Sequence, residues 1–288
     1  MLGLGNSMTG GAVLGEAAFT PESISNIALW LSWNTNIFAD EDSGGTTVSP
    51  DHSTDAGTMA NADRIYKWGG AGGTSINAVQ TDTTGDKPRW STTSGEVGGA
   101  FSANNNKHFD LSTADACNGD TDGAGCTSIT FDANTDFTVA IRFRANDFGG
   151  ARAFIGSTSN EFFRLEDADT IRIKTDGSNQ DVDSGTAMQA DKDTTIIIVR
   201  SDGSTGNINI FIRGKESGYF DGTSTGTSWG STIQDTEEIV ISNIMAAQDN
   251  GQEFDGTFKD VIIYNGTAVT SSQRRDIFDY LEAQEGDG

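Results

Sequence analysis

Apolar and polar residues alternate with a period of two along most of the chain from Phe19 onward. Phe137, Val139, Ile141 and Phe143 alternate with Thr138, Ala140, Arg142 and Arg144, the pattern of a half-buried strand whose apolar face meets a core. The same alternation recurs at Ile171 and Ile173 against Arg172 and Lys174, and at Ile208, Ile210 and Ile212. Residues 194–199 and 238–241 are short β-branched runs that predict buried strands. Residues 258–264 predict another strand, with Phe258, Ile262 and Tyr264 at even spacing. Turn signals separate these runs: Asp176-Gly177, Asp202-Gly203, Asp221-Gly222 and Asp255-Gly256. One helix is expected near the C-terminus, where Thr270 and Gln273 form a capping box ahead of an apolar stripe of Ile277, Phe278 and Leu281. Many short strands with this punctuation and a single helix predict an all-β, antiparallel sandwich.

Two stretches break the pattern. Residues 39–62 form a long polar insertion rich in Asp, Ser, Thr and Gly. Residues 1–18 are small and Gly-rich, with isolated apolar side chains at Leu2, Leu4, Met8, Val13 and Leu14. Such a segment is either a disordered leader or an arm that orders on docking against another subunit, exchanging chain entropy for buried contacts. The expected organisation is an arm over 1–18 and one domain over 19–288.

Charge narrows the function classes. The 288 residues hold 42 Asp and Glu against 18 Lys and Arg, a formal net charge of −24. Nucleic-acid binding needs cations that neutralise phosphates, so this balance argues against a DNA or RNA partner. An anionic membrane surface is disfavoured on the same ground, and no apolar run is long enough to span a bilayer. The N-terminus has no Lys or Arg before a Gly-broken apolar stretch, a poor match to a secretory signal. With 16 Phe and 5 Trp the chain is expected to fold despite its charge. Cys117 and Cys126 flank an Asn/Asp/Gly loop, and their spacing suits a local disulfide or a pair of reduced thiols equally.

Two segments at opposite ends of the chain carry a familiar pattern. The first is Phe19-Thr20-Pro21 with Ile24, Ile27 and Leu29-Trp30-Leu31, continued by Ile65-Tyr66-Lys67-Trp68-Gly69, Ala78-Val79-Gln80 and Lys87-Pro88-Arg89-Trp90. The second runs from Phe254-Asp255-Gly256 through Val261-Ile262-Ile263-Tyr264-Asn265 to Gln273-Arg274 and Tyr280-Leu281. Together they resemble the concanavalin A-like, laminin-G-like jelly-roll domains of bacteriophage structural proteins and bacterial surface proteins. The resemblance spans about residues 19–284 and implies that the first and last strands are neighbours in one sheet, with a short terminal helix beside them. Trp68 and Trp90 belong to the pattern and are expected in the core. The sequence departs from the pattern at Ser32-Trp33-Asn34, where an acidic turn is common, and at the Gly-rich loop after Trp68.

Catalytic constellations are hard to find. Glycoside hydrolases of this fold resemble one another in a Glu-x-Asp-x-Glu strand, whose carboxylates share a face. Here the acidic cluster Glu166-Asp167-Ala168-Asp169 puts Glu166 and Asp169 at opposite parity, and Glu237 and Glu238 are adjacent. The two histidines, His52 and His108, stand near no nucleophile elbow. Non-enzymatic function is the expectation, with no cofactor unless calcium binds. For calcium the candidate ligands are Asn118, Asp120 and Asp122, spaced like the start of a Ca²⁺ loop but lacking its final Glu, with Asp132, Asn134 and Asp136 a second oxygen-rich turn. The competing reading of both is an Asx-turn loop. For sugars the candidates are Trp33, Tyr219, Phe220 and Trp229, the last three in or beside a Gly/Ser/Thr-rich stretch where loop-borne rings could stack on a ligand.

The resemblance then implies a virion structural protein of a bacteriophage, a lectin-like jelly roll decorating capsid, neck or tail. It would be made in the host cytoplasm and exposed after release. Leu2, Leu4, Val13 and Leu14 are expected to anchor the arm to other virion proteins. Homo-oligomers would bind host-surface glycans weakly and gain strength through many copies. A free or cell-surface carbohydrate-binding module is the rival reading, and a divergent polysaccharide hydrolase or lyase the third.

Overall fold

The computed structural model describes residues 18–33, 35–40, 64–80, 88–91, 98–101, 107–113, 117, 126–158, 161–175, 178–221, 223–246 and 254–284. After a 3-10 turn at Pro21–Ser23 come β1 (Ile27–Ser32), β2 (Ile37–Asp40), β3 (Arg64–Trp68), β4 (Asn77–Val79), β5 (Arg89–Ser91), β6 (Gly98–Phe101) and β7 (Phe109–Ser112). The middle of the chain gives β8 (Ile129–Phe131), β9 (Phe137–Ala145), β10 (Arg152–Thr158), β11 (Glu161–Leu165), β12 (Thr170–Thr175), β13 (Ser178–Asp183), β14 (Asp193–Ser201) and β15 (Asn207–Gly214). The rest is β16 (Thr227–Ser228), β17 (Ile233–Gln234), β18 (Ile239–Ile241), β19 (Asn243–Ile244), β20 (Gly256–Asn265) and helix α1 (Ser271–Ala283).

Two antiparallel layers face each other. The inner layer runs β15-β14-β9-β20-β1, with β6 beside the start of β20 and β16 and β17 edging β15. The wide layer runs β13-β12-β11-β10-β19-β7-β4-β3-β2. Strand β5 pairs with β6 and meets β3, joining the layers along one side. Strands β8 and β18 form a separate small pair. The first and last strands are neighbours, Leu29 to Ser32 opposite Ile263 to Asp260. The antiparallel jelly-roll sandwich expected from the sequence is the fold.

Alternation fills the space between the layers. Phe137, Val139, Ile141 and Phe143 of β9 meet Phe154, Ile155, Phe163 and Ile173 of the wide layer. Phe143, Phe154, Phe254 and Phe258 form an aromatic knot, with Phe254 and Phe258 centroids 4.6 Å apart and Phe143 and Phe154 4.9 Å apart. Trp68 and Trp90 lie in this core, as expected.

The opposite face of the inner layer corrects one expectation. Strand β9 is buried on both sides, because α1 lays Ile277, Phe278 and Leu281 over Ala140, Ile197, Val199, Ile262 and Tyr264. Strand β20 differs too. A register shift between Phe258 and Asp260 inserts Lys259 as an extra residue. Beyond the bulge parity changes, so Phe258 enters the main core while Ile262 and Tyr264 face the helix. Even spacing would have put all three on one side. Its entry is also particular: Gly256 has φ +146°, and a Cβ there would run into the carbonyl of Arg144.

Candidate functional site

Several polar residues lie on the outer face of the wide layer. In β7, Phe109 and Leu111 point into the core, so Asp110 and Ser112 point away from it. Register carries that face across the layer as one row: Asn179, Lys174, Phe162, Gly156, Asn243, Asp110, Val79, Lys67 and Phe38, each opposite the next.

The centre of the row is a buried polar cluster. Asp110 is 2% exposed; its Oδ1 accepts a hydrogen bond from Asn243 Nδ2 at 2.6 Å and lies 3.5 Å from His108 Nε2. Its Oδ2 is buried with no hydrogen-bond partner among the described residues. Gln80 Nε2 donates to the His108 carbonyl at 3.3 Å, which steadies the histidine that enters β7. On the other side of Gly156 the ring of Phe162 carries the Arg164 guanidinium at 4.4 Å and Lys174 Nζ at 5.7 Å. Arg164 is also tied to Glu166 at 2.7 Å. A carboxylate oxygen with unused acceptor capacity, an amide and an imidazole beside one another are groups that hold hydroxylated ligands, whereas the Phe162 ring, 2% exposed, offers no free face. Sequence reasoning passed over them. The signal was present in His108, Asp110 and Ser112 alternating with Phe109 and Leu111, but histidine was weighed there only as a catalytic base.

The aromatic candidates sit elsewhere and are corrected by their burial. Trp229 is 2% exposed, belongs to the main core and donates from Nε1 to the Thr186 carbonyl at 3.1 Å. Tyr219 is 4% exposed; its hydroxyl meets Thr194 Oγ1 at 2.9 Å and accepts from the Gln189 amide at 3.2 Å. Burial pushes its phenol up from the ordinary range. Stacking needs a free ring face, and neither ring offers one. The physical reason is that the Gly/Ser/Thr-rich stretch is not a free loop: β16 pairs with β15, and the Trp229 amide bonds to the Ile210 carbonyl, turning the rings inward. Phe220 is half-buried, edge-on to Tyr219 at 4.8 Å. Trp33 is half-buried against the main core just past β1, at the opposite edge of the inner layer from Tyr219 and Trp229. The four rings therefore form no common platform.

Asn118, Asp120 and Asp122 lie outside the described residues, as do Leu2, Leu4, Val13 and Leu14 and His52. The ends of the acidic loop are described: Cys117 and Cys126 form a disulfide with Cα atoms 4.9 Å apart, and Cys126 bridges to Ser112 at the end of β7. The disulfide left open by sequence is thus formed, and it roots that loop beside the polar row. Asp132, Asn134 and Asp136 occupy the turn into β9. There Arg200, wholly buried, donates to the carbonyls of Asp132, Thr135 and Glu237, each at 2.7 Å. Among the described residues, no three His, Cys, Asp or Glu side chains are grouped to hold a metal ion.

A family model described as the concanavalin A-like lectin/glucanases superfamily (Laminin_G_3) matches residues 118–273, more than half of the chain. No curated protein matches. Among solved structures, domain 4 of the GH43 extracellular arabinanase AbnA from Geobacillus stearothermophilus, in complex with arabinotriose, aligns at 12% identity and a TM-score of 0.42, over 88% of this chain and 98% of that one. The CBM40 of the Ruminococcus gnavus IT-sialidase, bound to α2,3-sialyllactose, aligns at 12% identity and a TM-score of 0.36, over 50% of this chain and 83% of that one. A Bacteroides ovatus protein aligns at 13% identity and a TM-score of 0.37 over 51% of this chain, which covers 41% of its length.

Proposed function

The chain belongs to the concanavalin A-like lectin/glucanases superfamily, and from that membership we propose that it is a non-enzymatic, lectin-like module that binds glycans on the outer face of its wide layer. The observation that carries the reading is the buried Asp110 Oδ2, without a hydrogen-bond partner among the described residues, in a carboxylate flanked by His108 and Asn243. A sugar hydroxyl would donate to that oxygen. Calcium would be held by Asn118, Asp120 and Asp122, between the two disulfide-bonded cysteines.

The finer reading is a bacteriophage virion protein on capsid, neck or tail, oligomeric, with residues 1–18 docked on neighbouring virion proteins. What supports it is the resemblance of the two terminal segments, together with the acidic charge and the Gly-rich apolar arm. A free or cell-surface carbohydrate-binding module rests equally on family membership, and the two differ in where the protein is found.

Glycan-array binding of the purified chain, with calcium and with chelator, tests the coarser proposal. Selective, saturable binding is expected, weakened about tenfold or more in a folded Asp110→Asn variant. Silence of the wild type across the array would overturn glycan binding; undiminished binding by the variant would overturn the site. Mass spectrometry of purified particles then separates the virion protein, present in stoichiometric amounts, from the free module.

A further inference from the structure

Beneath α1, on the helix-facing side of the inner layer, lies a cluster that the glycan reading does not use. The bulge in β20 lays Lys259 beside the start of β14. Its Nζ sits 2.8 Å from both Oδ1 and Oδ2 of Asp193. Lys259 is fully buried and Asp193 is 4% exposed. Equal distances to the two oxygens place Nζ on the plane that bisects the carboxylate. With standard carboxylate dimensions this leaves it no more than about 3.2 Å from Cγ, inside the reach of a near-attack arrangement.

We propose that Lys259 and Asp193 condense into an intramolecular amide, a covalent strut from β14 across β9 to β20. The balance is that of amide formation. The ammonium gives up a proton, the Nζ lone pair attacks Cγ, and one carboxylate oxygen leaves as water carrying two of the three ammonium protons. The third stays on the amide nitrogen, and nothing is oxidised or reduced.

The surroundings supply what the step requires. Arg142, 1% exposed, lies with one guanidinium nitrogen 3.2 Å from Asp193 Oδ2 and the other 2.6 Å from the Leu281 carbonyl of α1, so it is fixed in place to receive the negative charge that develops on the carboxylate oxygen. Arg144 stands 3.8 Å from Asp193 Oδ1, and Glu216 accepts from the Asp193 amide at 3.2 Å, holding the start of β14 in register. Asp260, the residue after the bulge, is fully buried 3.9 Å from Arg142. We assign to it, as the buried carboxylate next in sequence to Lys259, the transfer of a proton from Lys259 to the leaving oxygen.

Intact mass spectrometry of the full chain, denatured and with its disulfide reduced, decides the matter. The expected mass is one water below that of the sequence, and digestion should yield a branched peptide joining the segments that hold Lys259 and Asp193. A mass equal to the sequence would leave only an ion pair and overturn the proposal. A water-loss species whose peptides are all linear would do the same, since it would locate the dehydration elsewhere. Lys259→Arg should restore the full mass. Asp260→Asn should slow accumulation of the crosslinked form at least tenfold after refolding, and an unchanged rate would remove Asp260 from the step.

Discussion

At the scale of single residues, Asp260 is the most perturbed acid on a firm geometric footing. It is fully buried, and burial pushes its carboxyl up to about 7 from an ordinary value near 3.8, against the opposing pull of Arg142, the Ser32 hydroxyl, the Trp33 amide and Lys259. Because the folded-state value lies above the unfolded one, the native state holds a proton that the unfolded chain has already released between these two values. This stabilisation is fully present below about pH 4, is lost as pH rises toward 7, and changes no further above that. Urea unfolding of the wild type between pH 4.5 and 8 should show that decline superimposed on other titrations, and Asp260→Asn should flatten it. A slope identical in both proteins would place the titrating group elsewhere. The residue was not legible in the sequence: alternation puts Asp260 at the same parity as Phe258, Ile262 and Tyr264, but nothing local tells that a carboxyl there is sealed by a bulge and by the helix laid over that face. Trp229 and Tyr219 were misread for the mirror reason, a polar, Gly-rich neighbourhood concealing rings that pack inward.

At the scale of elements, α1 was the most legible piece and β20 the least. The capping box is formed as spaced: Thr270 Oγ1 accepts from the Gln273 amide at 3.3 Å, and Gln273 Oε1 accepts from the Thr270 amide at 2.8 Å. Such signals are local, so they survive without knowledge of the tertiary structure. A bulge is not local. Nothing in the run from Phe258 to Tyr264 announces an extra residue, and the parity change that puts Ile262 and Tyr264 against the helix depends on pairing with β9 and β1. The helix itself is held chiefly by its apolar stripe, with Arg213 bonding to Asp279 at 2.8 Å and to Glu282 at its far end. Stability changes should therefore be unequal. Thr270→Ala should cost about 1 kcal/mol through the lost cap. Phe278→Ala should cost about 3–5 kcal/mol, since the ring is fully buried and lies against Ile197, Val199 and Ile262. Chemical unfolding of the two variants measures the ratio, and a cap loss as costly as the ring loss would mean that the helix is held by its end rather than its face.

At the scale of the whole molecule, the net charge of −24 meets a fold that uses part of its scarce positive charge internally. Arg142, Arg200 and Lys259, three of 18 cationic side chains, are at most 1% exposed. Arg200 is spent wholly on backbone carbonyls of the turns around β8 and β18, and burial lowers its pKa despite Asp235 and Asp136 nearby. Acids, by contrast, crowd the exposed turns, as at Asp167, Asp202 and Asp221. Since Asp110, Asp193, Asp235 and Asp260 are buried too, the surface keeps about the whole net negative charge, and like charges on one molecule repel across distances that salt can screen. The Debye length falls from about 30 Å at 0.01 M to about 3 Å at 1 M ionic strength, so the repulsion that opposes compactness should fade over that range. Thermal unfolding should shift upward by several degrees between about 0.01 and 0.5 M sodium chloride. Self-association, which brings two such surfaces together, should gain more from salt than folding does, because each interface sums repulsion from both partners. Sedimentation at the two salt concentrations separates these effects. A Tm and an oligomeric state both indifferent to salt would mean that the acidic side chains are already neutralised in pairs, and that the buried arginines cost the surface nothing.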